Sequence, residues 1–211
     1  MKNFLLIDDH EIVRSGVKNV LQEIFKPCEI YEANNEKTAL AALKTRDYDL
    51  IIMDVQIPDT DTAGLMEYIK ARYPGAKVLM FSMSAENVYA KRFFKAGAMG
   101  FVSKNAGLSE LKKAVELVLN DRKYISESLA EQLAAEIGTQ QPSNPFDKLS
   151  AREFEIATLL MTGKTGSEIS ELLAINSSTV GTHKARLFEK LGVTNLPELI
   201  EVARIYKLNL N

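Results

Sequence analysis

The chain has 211 residues, 46% of them hydrophobic, with 26 Lys and Arg against 28 Asp and Glu for a net charge of −2. That length suits one large domain or two small ones with real cores, and the charge balance excludes nucleic-acid binding through the bulk field, leaving only a local patch. No apolar run nears the roughly 20 residues of a membrane span, the first apolar stretch ends in acids too early for a signal peptide, and the single cysteine, Cys28, excludes an internal disulfide and suits a reducing cytoplasm.

Along the first 120 residues, short apolar runs alternate with helical spacing. The runs are Phe4–Ile7, Glu29–Tyr31, Leu50–Met53, Val78–Phe81 and Phe101–Val102, and the spacing predicts helices over 11–25, 36–45, 63–72, 86–96 and 108–120. Parallel strands need crossover helices, so five such units imply an α/β fold, a doubly wound five-stranded parallel sheet. Pro74-Gly75, Gly97 and Gly100 punctuate it before the fourth and fifth strands. Residues 121–137 continue polar and helix-prone, and GTQQPSNPF at 138–146 carries two prolines and no charge, which reads as a linker. Beyond it, helices are expected at 150–162, 167–173, 177–191 and 196–206 with no strand signal. The expected division is a first domain at 1–123, a connecting helix and linker at 124–145, and a small all-α domain at 146–211.

Asp8 and Asp9 follow the first strand and Asp54 ends the third, in the run DLIIMDVQIPD. In strand order 2-1-3-4-5 these strands are neighbours, so three carboxylates converge outside their carboxyl ends, where open α/β sheets bind ligands. Their mutual repulsion calls for a hard divalent cation, and Mg²⁺ prefers such oxygen ligands. Ser82 and Lys104 fall at the ends of the fourth and fifth strands. Three acids, a hydroxyl and a lysine suit phosphoryl transfer to a carboxylate nucleophile. His10 is read as a helix-start residue, not a ligand.

With IDDH at 7–10, IIMD at 51–54 followed by Pro58, FSMS at 81–84 and GFVSK at 100–104, residues 3–120 resemble the receiver domain of two-component response regulators. The resemblance implies that Asp54 accepts phosphate from a sensor histidine kinase. It implies that Asp8, Asp9, Asp54 and the backbone carbonyl of Gln56 hold Mg²⁺, that Ser82 and Lys104 meet the phosphoryl oxygens, and that Phe101 stands at the aromatic switch position. One departure is the segment PDTDTAGL. Its Gly64 comes six residues after Pro58, so Asp59–Gly64 is about two residues longer than the family's usual segment. A turn with Asp61 or Thr62 capping the next helix is one reading; altered kinase choice or phosphoryl lifetime is the other.

In the helical region, a predicted helix at Ser167–Leu173, the turn Ala174-Ile175-Asn176 and a helix from Ser177 to about Leu191 form a helix-turn-helix pattern, with Asn176 as N-cap. Val180, Leu187 and Leu191 would face the core and Ser178, Gly181, Thr182, Ala185 and Glu189 the opposite side. Residues 146–211 hold eight basic and eight acidic residues, while 177–191 carries Lys184, Arg186 and Lys190 against Glu189, a net +2. A solvated helix of an interaction bundle would show the same periodicity. Leu149, Ser150, Arg152, Glu153, Gly163, Thr179, Val180, Thr182, His183 and Lys190-Leu-Gly-Val193 make the region similar to LuxR-type DNA-binding domains, and the whole chain to NarL/FixJ-family response regulators. That implies double-stranded promoter DNA as partner, met by Ser178, Thr179, Gly181, Thr182, His183, Lys184, Arg186 and Lys190, and a homodimer on activation. The family often has lysine where Gly181 stands, so an isolated domain is expected to bind weakly. The rival readings are an interaction regulator and a phosphate sink. An enzyme acting on a small molecule is not expected, because the second domain has no Gly-rich phosphate loop and no nucleophile–base pair.

Overall fold

The computed structural model describes residues 1–58, 60–84, 86–138, 144–206 and 208. Asp59 and most of the 138–146 linker therefore lie outside the described residues. The chain divides into two compact units, Met1–Thr139 and Gln140–Asn211, each described by itself.

In the first unit the strands are β1 (Lys2–Ile7), β2 (Cys28–Ala33), β3 (Leu50–Met53), β4 (Val78–Ser82) and β5 (Gly100–Ser103), interleaved with α1 (Glu11–Ile24), α2 (Glu36–Leu43), α3 (Thr62–Arg72), α4 (Glu86–Lys95) and α5 (Leu108–Leu119). All pairings are parallel, in the order β2-β1-β3-β4-β5. Every residue of β3 and β4 is buried, as a sheet covered on both faces requires. Side chains alternate across the sheet. Phe4, Leu6, Leu50, Ile52, Leu79, Phe81 and Val102 form one core with Val17 and Leu21 of α1 and with Leu111, Ala114, Val115 and Val118 of α5. Those four α5 residues recur at helical spacing and make one apolar stripe. The alternate strand positions, including Ile7, Met53, Met80 and Phe101, are buried on the other side.

The expected connecting helix is present as α6, but residues 121–126 separate it from α5. The α5 C-terminus closes with Asp121 N–H donating to Val118 O (3.1 Å) and Arg122 N–H to Leu117 O (2.9 Å). Asp121 adopts φ +59°, so a non-glycine residue makes the left-handed helix stop. Tyr124 then bridges to Gly100 beside β5, and α6 begins only at Glu127 (Glu127–Gly138).

The second unit contains a short 3₁₀ turn (Pro145–Lys148), α7 (Ala151–Met161), α8 (Gly166–Leu172), α9 (Ser177–Leu191) and α10 (Leu196–Ile205). Ser150 with Glu153 and Thr165 with Glu168 make capping boxes that start α7 and α8. Asn176 does precede α9 in extended conformation, but its side chain makes no capping hydrogen bond. Phe146, at the end of the expected linker, is fully buried and packs edge-on against Phe154.

Candidate functional site

Three residues that follow directly on strands are each held by one further rung of the sheet. Asp8 N–H donates to Ala33 O (3.0 Å), Asp54 N–H to Ile7 O (2.9 Å) and Lys104 N–H to Ser82 O (2.8 Å). The carboxyl ends of β1, β3 and β5 thus aim these side chains at one point. Asp8 and Asp54 are 6% and 4% exposed, and Lys104 Nζ sits 2.6 Å from an oxygen of each. Burial alone would lower the Lys104 pKa, but hydrogen bonds and charge from Asp54 and Asp8 outweigh it and hold the ammonium above its ordinary value.

Asp9 stands on the more exposed side. His10 Nδ1 lies 2.9 Å from Asp9 Oδ1 and 3.3 Å from Asp8 Oδ1, and the His10 N–H donates to Asp8 Oδ1 at 2.8 Å. Asp8, Asp9, His10 and Asp54 each offer a donor atom within 4.8 Å of the others. The carboxylates are the hard oxygen set that suits Mg²⁺; the imidazole nitrogen is the one donor in the group that Mg²⁺ does not favour. Sequence reasoning set His10 aside and passed over Arg14, whose Nη1 donates to the Asp8 carbonyl (2.7 Å) while its Nε donates to Glu32 (2.9 Å). Arg14 comes one helical turn after His10, which was the available signal.

Of the remaining predicted residues, Gln56 is tied directly to this group. Gln56 donates its backbone N–H to Asp54 Oδ1 at 3.2 Å, folding residues 54–56 around the carboxylate. Ser82 is buried, and its hydroxyl donates to Ser84 Oγ (3.3 Å) while accepting the Ser84 N–H (3.2 Å). Phe101 is 1% exposed, packed inside the sheet face rather than turned outward. In the lengthened segment Asp61 is the N-cap of α3, accepting the Gly64 N–H at 2.7 Å. A Cβ on Gly64 would meet Asp61 Oδ2 at 2.5 Å, so a larger residue there would require the capping carboxylate to turn. Thr60, buried, ties the segment to α2 by accepting the Glu36 N–H.

In the second unit, the side of α9 carrying Ser178, Gly181, Thr182, Ala185, Arg186 and Glu189 is exposed, Thr179 and His183 are half-buried, and Val180 and Leu187 are buried. The Thr182 hydroxyl donates back to Ser178 O (3.0 Å), and Lys184 lies over the Phe188 ring at 5.4 Å. Lys190 is not simply a free cation of that surface, because it bonds Glu153 of α7. Buried Arg152 reaches Leu173 O (3.1 Å) at the end of α8. α7 is thereby bonded to both arms of the helix-turn-helix.

Comparison with known proteins agrees with both halves. The response regulator receiver domain matches residues 4–116, and the luxR family of bacterial regulatory proteins matches residues 147–203. The chain is 32% identical over 204 residues to the response regulator GacA of Pseudomonas viridiflava, covering 96% of this chain and 95% of that one. It is 31% identical over 204 residues to the response regulator UvrY of Escherichia coli K12, covering 96% and 94%. Its fold is similar to RcsB of Salmonella enterica serovar Typhimurium bound to promoter rprA with the phosphomimetic BeF3⁻, with TM-score 0.68, 23% identity and 95% and 97% of the two chains covered. With a receiver match over more than half its length and relatives this similar along nearly all of it, the chain belongs to the NarL/FixJ-type response regulators, which join a receiver to a LuxR-type DNA-binding domain.

Proposed function

We propose that Asp54 accepts a phosphoryl group from a sensor histidine kinase, and that this changes how the helical unit, as a homodimer, engages promoter DNA in the cytoplasm. The observation that carries the reading is the convergence of Asp8, Asp54 and Lys104 at 2.6 Å on the carboxyl edge of the sheet. An Asp54 oxygen attacks phosphorus, the bond to the donor's histidine nitrogen breaks, and that nitrogen keeps the electron pair. Asp8, Asp9, Asp54 and the Gln56 carbonyl would hold Mg²⁺, which supplies charge neutralisation at the phosphoryl oxygens. Lys104, kept protonated by its carboxylate neighbours, adds a second positive charge there. The Ser82 hydroxyl, now shared with Ser84, turns to donate to the same oxygens, and Phe101 repacks beside it.

On the DNA side, the exposed face of α9 enters the major groove, with Ser178, Thr179, Gly181, Thr182 and His183 toward base edges and Lys184, Arg186 and Lys190 toward phosphates. The RcsB structure in complex with promoter DNA lends this use of the fold its precedent.

Selection of bound sequences from a random duplex pool, with and without acetyl phosphate and Mg²⁺, tests the reading, with Asp54→Asn alongside. A two-half-site motif enriched only with the phosphodonor and lost in Asp54→Asn is the expected result. Enrichment in every condition would remove the switch from Asp54, and no enrichment would remove the DNA reader.

A further inference from the structure

The segment between α5 and α6 is fastened to the first unit at several points. Tyr124 N–H donates to Met99 O at 2.9 Å, extending the sheet beside β5, and its ring is buried in the core. The Tyr124 phenol donates to Glu110 in the first turn of α5. Ser126 Oγ donates to Glu86 Oε2 (2.7 Å) at the start of α4, and accepts the Leu129 N–H (3.1 Å), so the same hydroxyl caps α6. Burial and the Glu110 carboxylate push the Tyr124 phenol well above its ordinary pKa, so it stays a donor.

The two carboxylate fastening points lie on the helices that follow the reactive groups, Glu86 on α4 after Ser82 and Glu110 on α5 after Lys104. Glu86 comes two residues after Ser84, Glu110 six after Lys104, and Gly100 directly before Phe101. A movement of Ser82 and Lys104 toward a phosphoryl group would reach both carboxylates through the short connections into α4 and α5. We propose that Tyr124 and Ser126 form a clasp that holds the start of α6 closed when Asp54 is unphosphorylated and lets it go when Asp54 is phosphorylated. This rests on the proposed phosphorylation of Asp54. It supplies a route from that site to the linker through the receiver alone, with hydroxyl-to-carboxylate bonds as the element whose two states the phosphoryl group biases.

Hydrogen exchange of residues 122–130 in the intact chain, read by mass spectrometry with and without acetyl phosphate and Mg²⁺, tests the clasp while the same spectra read phosphorylation of Asp54. In the wild-type chain, exchange there should rise tenfold or more on phosphorylation. Tyr124→Phe and Ser126→Ala, which keep the ring and the backbone, should exchange fast in both states, with Asp54 phosphorylation within twofold of wild type. Unchanged exchange in a chain whose Asp54 is phosphorylated overturns the clasp and leaves the proposed function standing. Variants that exchange as slowly as wild type overturn it too. Absence of phosphate on Asp54 defeats the proposed function itself and the clasp with it.

Discussion

Lys190 Nζ lies 2.6 Å from Glu153 Oε2, joining the last turn of α9 to the first turn of α7 across 37 residues of sequence. Glu153 is 3% exposed and also accepts the Ser150 N–H at 2.8 Å. The lysine thus has a structural role on the helix proposed to meet DNA. Lys190→Ala should lower the stability of the helical unit by about 1–3 kcal/mol, because it leaves a buried carboxylate short of a partner. Arg186→Ala, on the exposed side, should leave stability unchanged and weaken DNA binding alone. Calorimetry and DNA titration on both variants separate the two effects.

The same pair makes stability depend on pH. Burial pushes the Glu153 carboxyl up, but Lys190 and Ser150 together hold it below its ordinary value. A carboxyl depressed in the folded state contributes stability above its unfolded pKa of about 4.3 and loses it as pH falls through the lower folded value. The melting temperature of the helical unit should fall as pH drops below about 4.3, and Glu153→Gln should flatten that fall. An equally steep curve in the variant would assign the acid sensitivity to other groups.

Lys104→Ala removes the ammonium between two buried carboxylates, which should cost roughly 3–5 kcal/mol. Added Mg²⁺ should restore more stability to this variant than it adds to the wild-type chain, since the cation then has no lysine to displace. Thermal unfolding with and without Mg²⁺ checks this, and equal shifts would count against a cation bound at Asp8 and Asp54.

Gly181 is exposed and has no atom within 4 Å of a Cβ placed on it. Gly181→Lys should therefore fit without displacement and stabilise α9 by about 1 kcal/mol from helix propensity. Against DNA it should steepen the dependence of log affinity on log salt by about one unit. A salt series on the two chains measures it.

Gly100 is the opposite case. A Cβ there would lie 2.8 Å from Leu79 Cδ1, 3.1 Å from Tyr124 Cβ and 3.3 Å from Tyr124 O. Gly100→Ala should destabilise the first unit by about 1–3 kcal/mol through overpacking, visible as a lower denaturant midpoint.

The sheet was legible because buried parallel strands are continuous apolar runs, so Leu50–Met53 coincides with β3 to the residue. β1 and β2 extend past their apolar runs, into Lys2 and into Glu32. Those residues belong to the strands through backbone pairing, which hydrophobicity does not report. Asp8, Asp54 and Lys104 could be placed together because a strand-end position fixes where a side chain points once strand order is known. His10, Arg14 and Ser84 could not, since their contacts depend on how α1 starts and on how the chain turns after β4. The break at Asp121 stayed hidden because a non-glycine residue takes the left-handed stop. The Glu153–Lys190 bond stayed hidden because only packing of α7 on α9 creates it.

Tyr124 bears on how such chains can be recombined. A splice made ahead of it, after residue 123, assigns to the helical half a side chain that is 3% exposed in the first unit and leaves the edge of β5 without its bridge. A splice beyond Gly138 keeps that side chain, its bridge and α6 within the first unit. The exchangeable joint between the two units therefore lies past α6, and a grafted DNA reader inherits the receiver's exit segment along with its proposed phosphorylation site.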